Sequence, residues 1–104
     1  MEPLRLYVIG PVTGIPGNNL AEFVEAKDRL QTAGYDVTIP HDIISSNADW
    51  LDAVIKSINQ IGRYDGVAQI DGWALSDGAM IEYTVADRLG IPVKPVDEWL
   101  RDAE

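Results

Sequence analysis

The residues Ser76-Asp77-Gly78-Ala79-Met80-Ile81-Glu82 bring a small hydroxyl, a glycine and a carboxylate to the start of a helical stretch. They follow a predicted strand, Val67–Ile70, and a short loop, Asp71–Leu75, and run into a helix that continues through Tyr83–Leu89. Such a segment aims the free backbone N–H groups and the positive dipole end of a helix at a pocket. A carboxylate about one turn into that helix is placed to be held ionised, the state that a carboxylate nucleophile requires. The same residues also fit a plain helix start, with Ser76 as N-cap and Glu82 as an acid near the dipole. What the rest of the chain brings to this spot decides between the two.

The composition narrows the chemistry. A chain of 104 residues, 46% apolar and 24% charged, is read as one soluble globular domain spanning 1–104. Its net charge of −9 argues against sustained binding to a nucleic-acid polymer or to an anionic membrane. A nucleotide stays open, because helix N-termini and loop amides hold phosphate without a basic surface. There is no cysteine, which removes disulfides, thiolate catalysis and cysteine metal sites; one histidine, His41, leaves little for a histidine-based site. No metal and no cofactor are expected. No apolar run reaches membrane-spanning length and the start lacks a signal-peptide pattern, so a cytoplasmic protein is the expectation.

Strands and helices alternate along the chain. Leu4–Ile9 is apolar and β-prone and ends at Gly10-Pro11. Gly10–Asn19 holds three glycines and two prolines and is irregular. Leu20, Phe23, Val24, Lys27 (through its stem) and Leu30 follow helical spacing, with Gly34 past the end. Tyr35–Ile39 is a short strand stopped by Pro40, and His41–Ala48 a polar loop. Asp49 is set to cap a helix over Trp50–Ile61, whose apolar face is Leu51, Val54, Ile55, Ile58 and Ile61. Asp65–Ile70 is the third strand, Ala79–Leu89 the next helix with Gly90 as its stop, and Ile91–Val93 the fourth strand. Asp97–Ala103 closes as a short helix in which Trp99 and Leu100 seal the core.

This alternation predicts an α/β fold of right-handed βαβ units. For four strands it predicts a small doubly wound, mostly parallel, flavodoxin-like sheet of order 2-1-3-4 with helices on both faces. Its topological switch point lies between strands 1 and 3, and ligands bind beyond the carboxyl ends there. The two least ordinary loops fall at that point: Gly10–Gly14 after strand 1 and Asp71–Gly78 after strand 3. They and Glu82 are expected to line one crevice.

Two motifs in these loops carry a family resemblance. Tyr7-Val8-Ile9-Gly10-Pro11-Val12-Thr13-Gly14 resembles the Y-x-a-G-P-m-T-G opening of the nucleoside 2-deoxyribosyltransferase-like superfamily. Ser76-x-Gly78-x-x-x-Glu82 resembles its second motif, in which the glutamate is the nucleophile. The likeness extends to Trp50–Asp65 and Gly90-Ile91-Pro92-Val93 and is nearest to short, often phage-encoded members. It implies N-glycosidic bond cleavage or transfer on a nucleoside or nucleoside 5′-monophosphate, by a retaining two-step displacement. In that reading Glu82 attacks the anomeric carbon, and Tyr7, otherwise a core aromatic, hydrogen-bonds Glu82 and orients it. Gly10, Pro11, Thr13, Gly14 and Gly78 line the sugar or phosphate, although the glycines equally fit turns that need positive φ. Ser76 stands where monophosphate glycosidases carry a phosphate-contacting serine, while Gly10–Asn19 offers no Arg or Lys. A homo-oligomer is implied as well, and for a phage-encoded protein the cytoplasm is the host's.

The chain departs from the pattern at one position. Active members carry an aspartate eight residues before the acid that opens strand 3, here Asp65, and it assists the leaving base. Ser57 occupies that position, and Asp52, five residues earlier, lies on another helix face. Loss of a proton donor costs about 10²–10⁴-fold in rate. Trp73 is a candidate to stack on a base or a lid on the core; Asp71 and Asp77 are candidate acids or turn formers; His41 is loop surface or a crevice residue. Two readings therefore stand: a glycosidase or transferase using Glu82, or a non-catalytic binder of a nucleotide-like ligand on the same scaffold.

Overall fold

The computed structural model describes residues 2–104. Four strands, β1 (Arg5–Ile9), β2 (Asp36–Thr38), β3 (Gly66–Gln69) and β4 (Val93–Pro95), form one sheet of order β2-β1-β3-β4. Every pairing is parallel, with Leu6 opposite Val37 and Gly66, and Val67 opposite Val93. Helices α1 (Leu20–Thr32), α2 (Pro40–Ile43), α3 (Trp50–Ile61), α4 (Asp77–Arg88) and α5 (Val96–Asp102) make the crossovers and the closing segment.

Alternation along β1 splits the core into two layers. Leu6 and Val8 pack with Phe23, Ala26 and Leu30 of α1 and with Val96 and Trp99 of α5. Tyr7 and Ile9 face the other way, onto Ile61 of α3 and Ala79 and Ala86 of α4. All four β1 residues from Leu6 to Ile9 are fully buried, as parallel strands covered on both faces must be. The starts of the two central strands are tied by Asp65, whose carboxylate accepts the Arg5 amide at 2.8 Å while the Arg5 guanidinium donates to the Arg63 carbonyl. Trp99 seals the far side and donates its indole N–H to the Val67 carbonyl at 2.9 Å.

The helix caps follow from the sequence. Asp49 Oδ1 accepts the Asp52 amide at 2.9 Å, and Ser76 Oγ accepts the Ala79 amide at 3.2 Å. The segment expected to be loop from His41 onward instead contains α2. Pro40 takes the first helical position, and Asp42 accepts the Ile39 amide and pairs with Lys27 at 2.8 Å, which stabilises the turn. The fourth helix starts at Asp77 rather than Ala79, two residues earlier than its pattern predicts.

Candidate active site

A cavity of about 780 Å³ opens beyond the carboxyl ends of β1 and β3. Its walls are the loop after β1 (Gly10, Pro11, Val12, Thr13), the first turns of α3 (Asp49, Trp50, Val54, Ser57) and the start of α4 (Ser76–Ala79 and Glu82). His41 and Asn18 close one side. The switch-point geometry puts these elements together: β1 and β3 are neighbours whose following helices leave on opposite faces.

Glu82 lies in this wall at 6% exposure. Because α4 begins at Asp77, Glu82 is its sixth residue and sits beyond the first turn, where the helix dipole acts most strongly. Burial opposes the ionised state that the helix start was expected to favour. Burial pushes Glu82 up to about 7, and hydrogen bonding by the Ser57 hydroxyl is the opposing influence that favours the charged form. At neutral pH the group is poised between the two states.

Tyr7 does not bond Glu82 directly. Its ring is fully buried against Tyr64, with centroids 5.2 Å apart, and its hydroxyl meets Ser57 Oγ at 2.6 Å. Burial and the nearby Glu82 charge push the phenol well above its ordinary range, so it keeps its proton and can donate it to the Ser57 oxygen. The Ser57 proton is then free to serve Glu82. Ser57 itself is 2% exposed.

The remaining sequence candidates divide. Gly10, Pro11, Thr13, Ser76 and Gly78 line the cavity; Gly14, in a left-handed turn at φ +85°, does not. A Cβ on Gly10 would stand 2.2 Å from Ile70 Cγ1, so core packing, not ligand approach, demands that glycine. The Pro11 carbonyl is pinned by the Asn19 side chain at 2.9 Å. Trp73 is absent from the cavity wall: Gly72, at φ +83°, and the 3-10 turn Trp73–Leu75 fold it back onto Tyr83, centroids 5.3 Å apart, leaving Leu75 at the rim. Asp77 and His41 reach the wall, and Asp71 and Asp52 do not. The His41 Nε2 meets the Asn18 carbonyl at 2.7 Å, and its Nδ1 is enclosed without a partner. Trp50 and Asp49 were missed as wall residues, although a helix entering from the strand-2 side at a switch point is the signal for them. Among the described residues no group of three His, Asp or Glu side chains could hold a metal.

A family model described as Domain of unknown function (DUF4406) matches residues 4–95. The chain belongs to this family. A solved structure, the 2-desoxiribosyltransferase from Leishmania mexicana, superposes with a TM-score of 0.68 at 21% identity, covering 88% of this chain. The chain spans 62% of that protein, and the two share a fold. A 58-residue stretch is 38% identical to the shikimate dehydrogenase (NADP(+)) of Nitrosopumilus maritimus (strain SCM1), covering 56% of this chain and 20% of that enzyme. Among the described residues of this family member, no helix is long and apolar enough to cross a membrane.

Proposed function

We propose that this protein cleaves or transfers the N-glycosidic bond of a nucleoside or nucleoside 5′-monophosphate, with Glu82 as nucleophile. One observation carries the reading: a carboxylate buried to 6% exposure forms part of the wall of a nucleotide-sized cavity at the switch point. A Glu82 oxygen attacks C1′, the C1′–N bond breaks, and its electron pair leaves with the base. Water, or a second base, then attacks C1′ from the vacated side and releases the carboxylate, giving net retention. Tyr7 and Ser57 are positioning residues here, turning a hydrogen-bond donor toward the nucleophile. The amides of the α4 start and the Ser76 hydroxyl offer donors for a 5′-phosphate.

Ser57 favours a second reading, a binder of a nucleotide-like ligand, because a buried hydroxyl replaces an acid that would assist the leaving base. A homo-oligomer belongs to the proposal, since Leu51, Ile55, Leu75 and Met80 are exposed apolar side chains on α3, α4 and the turn before it; sedimentation measures it. The test of function is chromatographic detection of free base from ribo- and deoxy-nucleosides and their 5′-monophosphates, with Glu82→Gln alongside. Base release lost in the variant supports catalysis. Ligand-dependent thermal stabilisation without base release supports the binder.

A further inference from the structure

We infer that the preferred substrates carry a cationic base, one whose glycosidic ring nitrogen is quaternary or belongs to a positively charged ring, as in a pyridinium nucleoside or an N7-alkylated purine nucleoside. The inference rests on the proposed glycosyl chemistry and adds the class of leaving group.

The first observation is the sign of charge in the cavity. Of the eight Lys and Arg residues none lines it, whereas Asp49, Asp77 and Glu82 do. Glu82 is nine-tenths buried and has no Lys or Arg partner among the described ion pairs. A neutral base leaves that carboxylate facing no positive charge, and a cationic ring supplies one beside a group that is itself largely removed from water.

The second observation is that no acid of the wall other than Glu82 is buried, as a carboxyl group held protonated for the departing base would be. Ser57 is a buried hydroxyl already hydrogen-bonded to Tyr7, and an alcohol is a far weaker acid than a carboxyl group. His41 gives one nitrogen to the Asn18 carbonyl and keeps the other enclosed, so neither is offered to a ligand. Asp49 spends an oxygen on the Asp52 amide, and Asp77 is exposed to water. A cationic base needs no proton. When Glu82 bonds to C1′, the C1′–N electron pair returns to the ring nitrogen and cancels its charge, so the base leaves neutral. Water then attacks C1′, the ester C–O pair returns to Glu82, and the water proton passes to solvent.

The test compares kcat/KM for nicotinamide riboside, nicotinamide mononucleotide and 7-methylguanosine with that for uridine, inosine and their 5′-monophosphates. Without an acid, the neutral-base substrates are expected to lag by about 100-fold or more. Intrinsic lability is separated by the variant Asp49→Asn/Asp77→Asn, which keeps a capping residue at position 49. It is expected to raise KM for nicotinamide riboside about threefold or more relative to its effect on KM for inosine. Neutral substrates within 100-fold of the cationic ones, or a variant KM for nicotinamide riboside that rises no more than that for inosine, overturn the inference and leave the glycosidase reading standing. No base release from any substrate overturns both.

Discussion

The Tyr7 hydroxyl and Ser57 Oγ stand 2.6 Å apart, both residues almost wholly buried, at the point where β1 passes beneath α3. The pair gives a core aromatic of the sheet a role at the cavity. Tyr7 fixes Ser57, and Ser57 is the hydrogen-bonding group that favours the ionised form of Glu82.

Activity is expected to follow the charge of Glu82. Burial holds that carboxyl up to about 7, and only the ionised form is a nucleophile. The rate at limiting substrate should therefore rise with pH through about 7 and level off above it. Ser57→Ala removes the group that favours ionisation and moves the midpoint upward, whereas a merely structural serine would lower the rate at every pH alike. A pH–kcat/KM profile of both proteins measures this.

The same shift has a thermodynamic consequence. The folded-state value lies above the ordinary 4.5, so between about 4.5 and 7 the folded protein binds a proton that the unfolded chain has lost. Stability from this residue is complete below about 4.5 and is lost as pH rises through about 7. The interval corresponds to about 3 kcal/mol. Glu82→Gln is accordingly expected to exceed the wild type in stability by up to about 3 kcal/mol at pH 8 and to match it near pH 4. Urea midpoints at the two pH values give the difference directly.

Gly10 tests the packing beneath the site. A methyl there would lie 2.2 and 2.7 Å from two Ile70 carbons, so Gly10→Ala should destabilise the fold by about 1–3 kcal/mol. Gly10→Ala/Ile70→Ala opens the space again and should recover part of the loss. An undiminished urea midpoint in the single variant would mean that the β1 loop moves freely and is not packed on Ile70.

Much of this arrangement was legible in the residues. Leu4–Ile9 and Asp65–Ile70, separated by helical patterns, fixed a parallel sheet with its switch point between them, and Asp49 and Ser76 announced the starts of α3 and α4 by their chemistry. Less local features were not legible. The turn at Pro40 forms because Asp42 reaches both the Ile39 amide and Lys27, fifteen residues earlier in the chain. The direction of Trp73 depends on the φ of Gly72, which no apolar spacing reveals. The state of Glu82 depends on what covers it, whereas its place in the sequence suggested only a helix dipole. An ion pair across the chain, a backbone angle and burial set these in turn, and apolar spacing carries none of them.

The two tryptophans of the region should separate cleanly. Trp73 packs on Tyr83, so Trp73→Ala should cost about 2–4 kcal/mol of stability and leave KM unchanged. Trp50 lines the cavity and is 42% exposed, so Trp50→Ala should raise KM with a small effect on stability. Paired thermal melts and steady-state kinetics on the substrate found above provide the check.

The most direct measurement is mass spectrometry of the covalent intermediate. The protein is mixed with a 2′-fluoro analogue of its best substrate, chosen because the fluorine slows release of the glycosyl group, and then digested. The peptide containing Glu82 is expected to gain the mass of one fluorosugar, or of its 5′-phosphate, with one equivalent of base released. Glu82→Gln is expected to give neither. Sustained base release by Glu82→Gln, or a label carried on another residue, would contradict the assignment of Glu82 as the nucleophile.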